Sequence, residues 1–258
     1  MRKWILPILL LLSFNVLAET PEEKGMAIAV KADKADTGWQ DMKSEMTMIL
    51  RNRQGQETSR KIRNRQLEVI GDGDKALSIF DSPNDVKGTA FLSHTHSKKA
   101  DDQWLYLPAL KRVKRIASNN KSGPFMGSEF AFEDITSQEV EKYTYKWLRD
   151  ETFSGHETHV VERYPTYKHS GYTKQVAWVD KERLQALKID FYDRKGKLLK
   201  TLEAQGFKQY LNKYWRPAKM EMVNHVTKKS TTLNWNNYQF KNGYSDRDFD
   251  KNTLKRSR

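Results

Sequence analysis

The chain is 258 residues long, has no cysteine, and sets 46 Lys and Arg against 33 Asp and Glu, for a net charge of +13. The missing cysteines exclude a disulfide framework, a thiolate metal site and lipidation at a Cys. The length allows one large β domain or two small ones with a core that needs no covalent staple. The positive field favours acidic partners.

Residues 1–18 read as a secretory signal peptide. Arg2 and Lys3 supply the charged start, residues 4–12 the apolar stretch, and Val16-Leu17-Ala18 a cleavage site before Glu19. The apolar stretch is too short for a membrane span. Losing Arg2 and Lys3 takes the charge of the mature chain from +13 to +11. Export predicts a periplasmic protein and sets nucleic acid aside as a partner. Anionic lipid head groups, met transiently at a membrane surface, or an acidic protein surface fit the charge instead.

The first mature element is helical. Thr20-Pro21-Glu22-Glu23 places Thr at the N-cap, Pro at the first helical position and Glu three residues after the cap, a capping box. The helix is expected to run to about Ala35, to stop near Gly38 and to lie against a sheet. From Trp39 the pattern changes to period two. Met42, Ser44, Met46, Met48 and Leu50 share one face, while Lys43, Glu45, Thr47 and Arg51 share the other. A turn at Gln54-Gly55 leads to a long strand over 58–70, and Gly71-Asp72-Gly73-Asp74 is the next turn. Strands follow at 76–81, 89–96, 103–107 and 112–117. The rhythm resumes at 143–151, 157–164, 174–180 and 186–193. A turn at Arg194-Lys195-Gly196 precedes strands at 198–210, 215–224 and 228–240, and a helical turn begins near Ser245. This predicts a mainly β chain of about eleven strands, a barrel or wrapped sheet. No linker divides it, so residues 19–258 read as a single domain.

Residues 118–135 interrupt the rhythm with an apolar, Gly/Pro-punctuated loop carrying Pro124, Phe125, Met126, Phe130 and Phe132. Connecting loops are normally polar. A greasy one must pack over something, and an apolar cavity is the candidate, with Gly123, Pro124 and Gly127 as hinges. Methionine is flexible and polarizable and suits a surface that adapts to variable apolar shapes. The expected lining of cavity and lid is therefore Met42, Met46, Met48, Leu50, Trp104, Tyr106, Phe125, Met126, Phe130, Phe132, Met220 and Met222. Alternation splits the basic run Lys111, Arg112, Lys114 and Arg115 over two faces, which argues against a nucleic-acid stripe. A rim touching head groups or a partner is the preferred use.

Catalytic signatures are missing. There is no G-x-S-x-G elbow, no P-loop, no dinucleotide fingerprint and no H-E-x-x-H. His94 and His96 are two apart on one strand and could start a metal site, but no third ligand is placed beside them. His156 and His159 fall on opposite faces. Glu129, Glu133 and Asp134 could be catalytic carboxylates. The preferred reading pairs them with the basic strand before them, because nothing nearby supplies a nucleophile or a metal. No enzyme activity, cofactor or metal is expected.

The string Gln103-Trp104-Leu105-Tyr106-Leu107-Pro108-Ala109-Leu110-Lys111-Arg112-Val113-Lys114-Arg115-Ile116 resembles the signature of the outer-membrane lipoprotein-sorting proteins, the LolA-like periplasmic carriers. So do Gly127-Ser128-Glu129-Phe130 and Glu133-Asp134. The resemblance implies an unclosed antiparallel β-barrel with a helical or loop lid over the concave face. It implies a hydrophobic cavity for the acyl chains of a lipoprotein or phospholipid. It also implies a shuttle toward the outer membrane that works with an inner-membrane exporter of the resistance-nodulation-division type. The alternative is a non-enzymatic module that docks on an exporter or envelope complex through its basic surface.

Overall fold

A computed structural model describes residues 19–256; the expected signal peptide lies outside them. Helix α1 (Pro21–Ala35) opens with the capping box, Thr20 Oγ1 accepting from the Glu23 amide at 3.2 Å and Glu23 from the Thr20 amide at 2.9 Å. One meander follows: β1 (Asp41–Arg51), β2 (Glu57–Leu67), β3 (Lys75–Ser82), β4 (Ala90–His94), β5 (Asp102–Leu107) and β6 (Arg112–Arg115). A crossing segment, residues 116–142, leads to the second: β7 (Tyr143–Phe153), β8 (His156–Pro165), β9 (Tyr172–Asp180), β10 (Ala186–Asp193) and β11 (Leu198–Gln205). A short hairpin, β12 (Lys208–Tyr210) and β13 (Tyr214–Arg216), precedes β14 (Lys219–Asn224) and β15 (Ser230–Phe240).

Among the described residues thirteen strands form one antiparallel sheet, ordered β6-β5-β4-β3-β2-β1-β15-β14-β11-β10-β9-β8-β7. The β1–β15 ladder joins the two meanders, with Met46 opposite Trp235 and Met48 opposite Leu233. The outermost strands, β6 and β7, do not pair, so the barrel is unclosed. The strand number exceeds the expected eleven partly because two long strands break. Gly206 takes φ +66° and turns the chain out of the β11 ladder, and Pro217 lacks the amide that would continue it.

This topology explains the greasy loop. The crossing segment must connect two open edges, and it does so through the inner face of the sheet. Phe125 and Phe130, each 2% exposed, join Met48, Ile62, Phe80, Phe91, Met222 and Leu233 in the main core. The outer face has its own cluster. Leu77, Ile79 and Leu92 are covered there by the C-terminal 3-10 turns through Phe249 and Leu254. Among the described residues no helix is long and apolar enough to cross a membrane.

Helix α1 lies on β7, and Gly25 is the point of closest approach. A Cβ there would sit 2.8 Å from the backbone nitrogens of Lys146 and Trp147. At an ordinary helical position, replacing Gly with Ala gains up to about 1 kcal/mol. Here overpacking wins: Gly25→Ala is expected to cost about 1–3 kcal/mol, read as a lower urea midpoint. A gain would mean that the helix can lift from the sheet without loss.

Candidate functional site

Between α1 and the inner face of the sheet the side chains leave a cleft of about 970 Å³. Helix α1 contributes Ile28, Ala29 and Ala32, and β1 contributes Met42, Met46 and Met48. Met220, Leu233 and Trp235 come from β14 and β15, and Val161, Ala177 and Val179 from β8 and β9. Phe125 and Phe130 of the crossing segment close its floor. Period two brings this about: inner-face residues alternate with outer ones on every strand.

The twelve residues expected to line the cavity therefore separate into three groups. Met42, Met46, Met48, Phe125, Phe130 and Met220 line the cleft. Leu50, Met126, Phe132 and Met222 pack in the core beneath it and do not reach the open space. Trp104 and Tyr106 are misplaced by the sequence reading. They lie on the outer face against the Phe249 and Leu254 cluster, with the Trp104 ring 5.1 Å edge-on to His94. Their inner-face neighbour on β5 is Leu105, which joins the main core. Sequence reading missed the walls from α1, β8 and β9. Val176-Ala177-Trp178-Val179 is apolar on both faces, so it shows no alternation.

The crossing segment is a seated plug. Met126 and Gly127 take left-handed φ values of 50° and 78°, folding the chain back so that the Phe125 amide donates to the Phe130 carbonyl at 2.7 Å. The expected hinges sit inside this small hairpin, with Pro124 bridged to Ala131 and the Phe132 amide donating to the Gly123 carbonyl at 3.1 Å. Rings pack around Phe125: Phe91 at 5.2 Å, Phe132 at 5.4 Å and Phe80 at 6.0 Å between centroids.

The polar anchors of the plug are not the expected ones. Asp134 pairs with Lys200 of β11 at 2.7 Å, both side chains buried, and accepts from the Tyr172 hydroxyl at 2.8 Å. Lys200 also donates to the Glu129 carbonyl at 2.8 Å. The Glu129 carboxylate accepts from Asn224 at 2.7 Å. Glu133 accepts from the Gly171 amide at 2.8 Å and from the Tyr167 and Ser170 hydroxyls at 2.9 Å, and burial raises its pKa. The Arg60 guanidinium donates to the Met126 carbonyl.

Lys111, Arg112, Lys114 and Arg115 take no part. They lie in or beside β6, at an open edge of the sheet and outside the cleft, and Arg115 pairs with Asp102. Exposed basic residues on an edge strand discourage another strand from pairing there.

The histidines also have separate partners. His94 Nε2 lies 2.8 Å from the Phe249 carbonyl, while His96 Nδ1 lies 2.7 Å from Asp72. His159 pairs with Asp150 at 2.7 Å, and His156 stands 3.5 Å from Asp180. Among the described residues no three or more His, Asp or Glu side chains are grouped to hold a metal. The rim is acidic at one end, where Asp74 and Glu139 face each other. Burial pushes the Asp74 carboxyl up to about 6. Burial and the nearby Asp74 push Glu139 up to about 7.

This architecture has close counterparts. A domain from Vibrio parahaemolyticus, described as an outer membrane lipoprotein-sorting protein domain, is 58% identical over 91% of this chain and 99% of its own, with a TM-score of 0.89. A DUF1329 family protein from Desulfovibrio piger is 32% identical over 91% of this chain and 99% of its own, with a TM-score of 0.86. A LolA superfamily protein from Nitrosomonas europaea shares the fold at 20% identity and a TM-score of 0.71, covering 88% of this chain and 98% of its own. A family model described only as an uncharacterized protein matches residues 72–256. No curated protein matches. The unclosed sheet, the cleft under α1 and an identity of 58% along nearly the whole chain lead to one conclusion: the chain belongs to the family of the outer membrane lipoprotein-sorting protein domain.

Proposed function

We propose that this chain is a periplasmic carrier that takes acyl chains of a lipoprotein or lipid into the cleft under α1 and moves them toward the outer membrane. The observation that carries this reading is the unfilled space of about 970 Å³, at the upper end of the range for ligand pockets, with apolar walls from β1, β9, β14 and β15 beneath a charged rim. Each methylene moved from water into such a space is worth about 0.8 kcal/mol, so about a dozen supply roughly 10 kcal/mol. Methionine walls from β1 and β14 adapt to different chains without fixing one shape. No chemical step is required. The direction toward the outer membrane follows the description of the relative as an outer membrane lipoprotein-sorting protein domain, and the use of an inner-membrane exporter rests on the sequence resemblance alone.

Mass spectrometry of organic extracts tests the reading, using protein purified gently from the periplasm. Acyl lipid is expected to accompany the wild type. Val179→Trp adds bulk at a partly exposed wall position and is expected to lower the lipid yield about tenfold. An empty wild-type cleft would overturn the proposal. The basic edge strand β6 supports a second reading, a docking module for an acidic envelope partner. That module would capture its partner in a salt-sensitive way and carry no lipid.

A further inference from the structure

A second hollow, of about 550 Å³, lies beside the cleft. The two share Ser97, Lys98 and residues 136–139 as walls, so they meet there. The second hollow is charged. Lys121 Nζ stands 3.0 Å from one carboxylate oxygen of Asp101, and Lys142 pairs with the other. Lys121 is only 7% exposed, and the Asp101 side chain 10%. Two ammonium groups thus share one carboxylate in direct contact, and the further carboxylates Asp102 and Glu139 act on them without forming an ion pair with either.

No other carboxylate in the walls forms an ion pair with either lysine. Glu133 is already taken by Tyr167, Ser170 and Gly171. Glu139 stands at the junction with the cleft and feels the Lys142 charge without an ion pair to it. Glu141 is exposed at the rim. Lys98, Lys99 and Lys168 also line the hollow, and their side chains make no hydrogen bond or ion pair among the described residues.

An ion pair out of water needs full compensation, and lysine binds phosphate as a point charge. We propose that this hollow binds the phosphate of an anionic head group while the acyl chains of the same molecule occupy the cleft. The inference rests on the carrier reading and narrows it to lipids whose phosphate head group carries a net negative charge. A glyceride-anchored lipoprotein carries no phosphate in that place. Free phosphate has the same chemistry and is the other possible source.

The test uses the full chain washed free of lipid. It is incubated with vesicles of phosphatidylethanolamine containing one-fifth phosphatidylglycerol, and the lipid taken up is quantified. In the lipid taken up by the wild type, the ratio of phosphatidylglycerol to phosphatidylethanolamine is expected to be about tenfold that of the vesicle, the scale of one charge-assisted hydrogen bond. Lys121→Met leaves Asp101 and Lys142 matched one to one. It is expected to take up the same total lipid at the vesicle ratio. A rim variant, Lys99→Glu with Lys168→Glu, changes only exposed positions. It should lose the enrichment too, which keeps the test valid if Lys121→Met does not fold. Uptake at the vesicle ratio by the wild type overturns the head-group site and leaves the carrier intact. No uptake at all overturns the carrier reading itself. Inorganic phosphate at 50 mM, compared with sodium chloride at the same ionic strength of about 0.1 M, separates the two sources: competition with anionic-lipid uptake supports the lipid phosphate, and phosphate binding without lipid enrichment assigns the hollow to the free ion.

Discussion

Lys200→Met is expected to lower the stability of the fold by about 3–5 kcal/mol, because it strands the Asp134 carboxylate in the core. The two side chains are buried and 2.7 Å apart, and Lys200 also holds the Glu129 carbonyl. The rings of Tyr172 and Phe191 lie 5.2 and 5.3 Å from its ammonium. For a chain of this size the loss corresponds to a fall of roughly 10 °C in Tm, measured by thermal melting. An exposed pair sets the contrast. Arg51 and Glu57 are each over two-fifths exposed, and removing that pair should cost about 0–1 kcal/mol. The double variant Lys200→Met, Asp134→Asn removes both charges and keeps an acceptor for the Tyr172 hydroxyl. It should therefore cost less than the sum of the single variants, with an interaction energy of about 1–3 kcal/mol in a double-mutant cycle. Additive losses, or a single-variant cost under about 1 kcal/mol, would mean that this pair does not hold the plug.

This anchor marks the limit of what the chain reveals before folding. Helix α1 was legible because a capping box is local: Thr20, Pro21 and Glu23 stand within four residues. The inner face of β1 was legible because its two faces differ in polarity, Met46 and Met48 being buried and Glu45 exposed. Lys200 lies 66 residues from Asp134, and no spacing rule joins them. The basic strand beside the plug was the obvious partner by sequence and the wrong one in space.

Trp104 and Tyr106 fail for another reason. Alternation tells which residues share a face but not which face turns inward. Both faces of β5 are covered here, one by the plug and the other by Phe249 and Leu254. The breaks at Gly206 and Pro217 did have a local signal, which the strong strand pattern around them obscured. The cleft is harder still. A hollow is made by side chains that are too small to fill it, and Ala29, Ala32 and Ala177 leave no mark in a hydrophobic pattern.

Phe125→Ala should separate the plug's structural role from its place in the proposed carrier. Phe125 is 2% exposed and packs against Phe80, Phe91 and Phe132. In lipid-stripped protein its truncation is expected to cost about 3–5 kcal/mol, the lost transfer energy plus the void left behind. That void is not sealed, because Phe125 borders the cleft. An acyl chain in the cleft can extend into it. Two further methylenes buried there would return about 1.6 kcal/mol, so the variant should lose less stability when loaded than when stripped. Phe249→Ala is the control. Phe249 is 1% exposed on the outer face and does not border the cleft, so its cost should be the same in both conditions. Urea unfolding of each variant, with and without saturating phospholipid, measures both differences. Equal losses for Phe125→Ala in the two conditions would place the bound chain away from the plug, because a ligand that touches the void must respond to its opening.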